Sequence, residues 1–133
     1  MGSFWSSSFT IPKVIVRADL ARYQNLVVIR CDGLPEKVIK NEEDASLYGQ
    51  FFAKLAHSLD EAPVGSALAC DNSRFRSMAV CIVFLMWRGG YKTTESAQAA
   101  VRKQRGLGDS NCLTLYKPAI VLAVAILDQN LEV

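Results

Sequence analysis

The chain has 133 residues, half of them hydrophobic and 21% charged, with 15 Lys and Arg against 13 Asp and Glu. That length suits one globular domain with one core, and the composition is too apolar and too weakly charged for a disordered chain. A formal charge of +2 gives no general case for nucleic acid or an acidic membrane as partner and leaves open only a local basic site.

Residues 1–9 are Ser-rich and unpatterned, and read as a flexible segment ahead of a single domain over 10–133. Met1-Gly2-Ser3 reads first as a cloning remnant. The alternative is an N-myristoylation signal, with Gly2 followed by Ser6. One such chain would anchor only weakly. Residues 14–17 form a short β-branched run, and 18–24 suit a helical turn. Residues 25–30 (NLVVIR) predict a buried strand ended by Cys31-Asp32-Gly33. A polar, irregular stretch with Pro35 follows. Residues 42–57 then predict an amphipathic helix, with Leu47, Phe51, Leu55 and Leu59 at i+4 steps. Beyond a loop at 60–65, residues 66–69 predict a short strand. Ser77 opens an almost wholly apolar helix, which belongs in the middle of a domain and stops at Arg88-Gly89-Gly90. Thr93 or Thr94 caps the next helix, which ends in Arg102, Lys103, Arg105 and Gly106. The last helix spans 111–129, with Pro118 kinking or restarting it. Strands before one strand–loop–helix junction and helices after it predict an α/β domain, with a small, mostly parallel central sheet flanked by helices.

The longest apolar runs, 78–87 and 119–127, are about half of what a bilayer span needs. No signal peptide is visible. The four cysteines at 31, 70, 81 and 112 form no CxxC pair, and His57 is the only histidine. A zinc site is therefore not expected, nor is a Ser-His-Asp or Cys-His hydrolase. Free thiols in the cytoplasm are expected instead.

The chemistry-bearing stretch is Ala67-Leu68-Ala69-Cys70-Asp71-Asn72-Ser73-Arg74-Phe75-Arg76-Ser77. A loop of this length, folded over a helix N-terminus, points several amides inward and makes an anion cradle. Arg76 can grip two phosphate oxygens. The same positive field is expected to lower the pKa of Cys70, leaving a thiolate positioned for in-line attack.

The Cys-x5-Arg-Ser loop resembles that of the cysteine-dependent phosphatases. The buried helix MAVCIVFLMW and the following Glu95-Ser96-Ala97-Gln98-Ala99-Ala100-Val101-Arg102 narrow the resemblance to the dual-specificity type. It covers residues 64–120 well, 14–63 loosely and 1–13 not at all. The resemblance implies a dual-specificity-phosphatase-like fold and a hydrolase acting on phosphotyrosine or phosphoserine/threonine of a protein. Cys70 would be the nucleophile, Arg76 the phosphoryl ligand and Ser77 the donor that helps the sulfur leave. The amides of Asp71, Asn72, Ser73, Arg74, Phe75 and Arg76 would form the cradle. No cofactor or metal is implied. A general acid, usually an Asp after the neighbouring strand, would protonate the leaving oxygen. Asp32 is the first choice, with Glu36 and Asp44 as alternatives.

The loop departs from the family at Ala69, where His is usual, at Ser73, where Gly is usual, and at the bulky Phe75. Asp71 adds a negative charge beside the thiol. These departures make the loop degenerate and leave a rival reading, a pseudophosphatase that binds phosphate or docks without turnover. Asn72-Ser73 is also similar to the loop of low-molecular-weight phosphatases and arsenate reductases, so arsenate reduction or sulfur transfer is a second rival. It would need Cys31 as resolving thiol, and a Cys31–Cys70 disulfide could also protect the nucleophile. Cys81 and Cys112 read as structural. His57 reads as a surface residue. Arg102, Lys103 and Arg105 read as a solvated helix end, which with Arg74 could widen a basic site for phosphoinositide or RNA 5′-phosphates.

Overall fold

The computed structural model describes residues 9–129; Met1-Gly2-Ser3 and the proposed lipid site at Gly2 lie outside the described residues. Three strands, β1 (Lys13–Val16), β2 (Val28–Arg30) and β3 (Ala67–Cys70), form a parallel sheet in the order β1-β3-β2. The strand that runs into the loop at 71–74 is therefore central. Its register sets Val16 against Cys70 on one side and Arg30 against Ala69 on the other. Four helices complete the domain: α1 (Glu42–Glu61), α2 (Phe75–Arg88), α3 (Thr94–Arg105) and α4 (Leu113–Asp128).

The two faces of the sheet follow from side-chain alternation. Leu68 and Cys70 of β3 join the main core, which Met78, Ile82 and Leu85 of α2 and Ile120 of α4 fill. Ala67 and Ala69 face the other way and are covered, with Ile15, by Leu20 and Tyr23. Those two residues belong to a short 3₁₀ turn, Arg17–Tyr23, where a helical turn was expected over 18–24. The general α/β class with a small parallel sheet is thus correct. The four helices pack into the core on one face, and the other is closed by this single turn.

Local expectations fare unevenly. Thr93 caps α3, its hydroxyl accepting the Ser96 N–H at 3.0 Å. Gly106 ends the helix in the left-handed region at φ 62°, where a Cβ is strained. The strand expected over 25–30 is only Val28–Arg30 and is half-exposed. It is an edge strand, and Leu26 is drawn into a turn by its amide bond to the Tyr23 carbonyl. The apolar stripe expected on α1 is also shifted. Leu47 is 52% exposed, Phe51 and Leu55 pack half-buried against the core, and Leu59 is buried as expected, beside Tyr48, Phe52 and Ala56. Steps of four drift around the axis by about 40° each, because a turn takes 3.6 residues. A stripe drawn through them starts off the core face at Leu47 and reaches it at Leu59. Pro118 does not restart the last helix: α4 runs from Leu113 through it to Asp128.

Candidate active site

Parallel sheets offer ligands the crevice outside the carboxyl ends of their strands. Here β3 ends at Cys70 and α2 begins at Phe75, two residues earlier than Ser77, so Arg76 and Ser77 sit in its first turn. The first amides of a helix have no partner within it. One of them finds the thiol: Ser77 N–H donates to Cys70 Sγ at 3.0 Å, and Ser77 Oγ lies 2.9 Å from the same sulfur. Both residues are fully buried. The sulfur therefore caps the helix while facing its positive end.

Arg76 is only 6% exposed. Its Nη1 donates to the Leu34 carbonyl at 2.7 Å, and its buried Nε has no hydrogen-bond partner among the described residues. The carbonyl belongs to the irregular segment 33–41, which lies over the loop. That segment is held by Tyr48, whose hydroxyl donates to the Pro35 carbonyl at 2.5 Å, and by the Ile39 N–H bond to the Leu115 carbonyl. Glu36 accepts a short hydrogen bond from Ser73 Oγ. Ser73 Oγ in turn accepts from the Phe75 amide at 3.4 Å. Asn72 is exposed at the loop's tip. Arg74 pairs with Asp19 of the 3₁₀ turn at 3.4 Å.

The three strand ends converge on a charged cluster. Arg17, Arg30 and Asp71 follow or end β1, β2 and β3. Arg30 Nη2 reaches Asp71 at 3.2 Å and Asp32 at 2.6 Å, and Arg17 stands 3.8 Å from Asp71. Sequence reasoning missed both arginines. Their only signal was position, each standing at or just beyond a predicted strand end.

Among the three acid candidates, Asp32 and Glu36 contact loop residues. Asp44 instead pairs with Lys37 at 2.9 Å, and its amide donates to the Asn41 side chain that caps α1. Burial disfavours the charged form of Asp32. Hydrogen bonding with the Asp71 carboxyl and with Arg30 outweighs it, and the carboxyl is held below its usual range.

Cys70 itself requires a correction. Burial pushes its thiol above the ordinary value, and the Ser77 hydrogen bonds and the Arg76 charge only partly oppose this. A lowered pKa was expected from the helix end alone. Complete burial of the sulfur is the larger effect. Cys31 is buried beside it. Its amide donates to the Ala69 carbonyl at 2.8 Å, the next rung of the ladder that pairs Arg30 with Ala69, which sets Cys31 opposite Cys70. Burial raises the Cys31 thiol too, the neighbouring Cys70 adds to the rise, and a Ser77 hydrogen bond counters it. Cys81 is raised by burial, and Cys112 is pushed up to about 12 by burial. His57 stacks at 6.2 Å on Trp87 and lies outside the site. Among the described residues no three His, Cys, Asp or Glu side chains group as a metal site, and no helix is long and apolar enough to cross a membrane. No family model, curated protein or solved structure matches the chain.

Proposed function

We propose that the protein is a cysteine-dependent phosphatase of the dual-specificity type, with a fold of that kind, acting on phosphorylated protein. The observation that carries the reading is the buried Cys70 sulfur held at 3.0 Å by the Ser77 amide, next to a buried Arg76 with a spare donor. A sulfur at a helix N-terminus beside a guanidinium is arranged for a tetrahedral anion. Four free, buried thiols fit a reducing compartment such as the cytoplasm.

In the proposed reaction, substrate phosphate enters over the first turn of α2 and takes the Arg76 donors. Cys70 passes its proton to a phosphate oxygen of the arriving substrate, and its sulfur attacks phosphorus. The bond to the leaving oxygen breaks, and that oxygen takes a proton from a carboxyl group. Water then attacks the phosphocysteine, giving a proton to the same carboxylate; inorganic phosphate leaves and the sulfur is restored, with Ser77 Oγ stabilising the departing thiolate. Asp32 is the proposed acid. Arg30 at 2.6 Å favours its ionised form, so it must take a proton from solvent before it can serve, and turnover through it is favoured toward acid pH. Glu36, bound to Ser73, is the second carboxyl within reach of the loop.

A second reading, phosphate binding without turnover, rests on the raised Cys70 thiol and on the Leu34 carbonyl that occupies Arg76. Hydrolysis of p-nitrophenyl phosphate over about pH 5 to 8, with chelator present and orthovanadate as inhibitor, separates the two. Vanadate-sensitive turnover supports the phosphatase. Vanadate binding without turnover selects the second reading, and neither from a folded protein overturns both.

A further inference from the structure

On the β1 side of the loop a polar cleft of about 440 Å³ opens between the 3₁₀ turn and the end of α3. Four cations line it. Lys13 comes from β1, Arg22 from the 3₁₀ turn, Arg74 from the loop and Arg105 from the last turn of α3. The one carboxylate in the wall is Asp19, shared between Arg74 at 3.4 Å and Arg22 at 4.0 Å. Lys13 and Arg105 form no ion pair among the described residues. Arg105 donates from Nη2 to the Ile11 carbonyl, which fixes its guanidinium, and its buried Nε has no partner among the described residues.

The size of the cleft chooses among anions. The cleft is larger than a single phosphate needs. A compact molecule with several phosphates is of a size with it and can meet more than one of its four cations. We propose that this cleft is an anion site separate from the thiol, and that it takes a compact polyphosphate of the inositol phosphate kind, free or as a lipid headgroup. It does not depend on turnover at Cys70. Arg74 belongs to both sites, so an anion that draws it from Asp19 also reshapes the loop.

The test uses the full chain and two probes. Soluble inositol 1,4,5-trisphosphate is titrated by calorimetry. Phosphatidylcholine vesicles with about 5% phosphatidylinositol 4,5-bisphosphate are assayed by flotation against phosphatidylserine vesicles of equal charge. Lys13→Ala with Arg22→Ala removes two cations outside the loop and should weaken binding about tenfold. Cys70→Ser should leave binding in place, and vanadate, which acts on this site only through Arg74, should weaken it at most and not abolish it. Binding to both probes, or to one, supports the site and tells whether the free anion or the headgroup is its ligand. Binding that vanadate abolishes and the double variant retains assigns the anion to the loop and overturns the proposal. So does equal binding to phosphatidylserine, or no binding to either probe. Turnover of p-nitrophenyl phosphate is read separately, so failure of the phosphatase reading leaves this result standing.

Discussion

At Cys70 two effects of comparable kind oppose each other: burial favours the thiol, and the Ser77 and Arg76 contacts favour the thiolate. Burial is larger, so alkylation of Cys70 by iodoacetamide should rise steeply only at alkaline pH. Ser77→Ala removes a hydrogen bond worth about 1 kcal/mol. Mass-spectrometric alkylation rates at a fixed pH near 8 should then fall roughly three- to tenfold, and an unchanged rate would show that the hydroxyl does not hold the sulfur. Cys31 stands opposite Cys70 across the ladder, and neighbouring strands lie about 4.8 Å apart, inside the Cα separations that disulfides span. Mild peroxide should therefore join the two, reversibly by dithiothreitol. In Cys31→Ser the same treatment should carry Cys70 on to irreversible acids. Peptide mapping decides it, and a Cys70 that overoxidises equally in both proteins contradicts the pairing. Cys70, Arg76 and Ser77 were legible because strand, loop and helix follow one another in the chain, and covalent order fixes their neighbourhood. Arg17 and Arg30 were not, because only the fold brings three strand ends to one point. The raised thiol was missed because sequence reveals a helix end but not how completely the sulfur is covered.

Elements were easiest to read where chemistry is local. The Thr93 cap and the Gly106 stop need only their own residues and a few neighbours, and both stand as expected. Gly106→Ala places a Cβ at φ 62° with no neighbour within 4 Å, so strain alone should act. It should cost about 1 kcal/mol in urea unfolding. A loss near zero would mean that α3 ends differently in solution. The buried face of α1 was harder, because it depends on what packs against it. Gly49 admits Leu122 of α4 so closely that a Cβ there would stand 3.0 Å from its Cδ2. That contact turns α1 toward α4 and leaves Leu47 in solvent. β2 was overread for a similar reason: NLVVIR has the composition of a buried strand, but it lies at an edge and pairs on one side only.

For the whole molecule, the α/β class was legible from element order, while the one-sided packing of helices was not, since the 3₁₀ turn that closes the second face is too short to betray its role. The burial of all four cysteines has a global consequence. Each thiol is raised in the folded protein, so the folded state keeps protons that the unfolded state loses above about pH 8.5. Stability should be constant below that value and fall as pH rises beyond it. Asp32, lowered in the folded state, acts oppositely: its contribution is present above about pH 4 and is lost as pH falls through its folded value. Chemical denaturation at a series of pH values checks both limbs, and stability that stays flat to about pH 10 would contradict the buried thiols. The central claim, however, is that one sulfur does the chemistry. The most direct measurement is steady-state hydrolysis of p-nitrophenyl phosphate by wild type and Cys70→Ser, with folding of both checked by circular dichroism. Turnover in the wild type that vanishes in Cys70→Ser is the predicted result; equal turnover in the two proteins would contradict it.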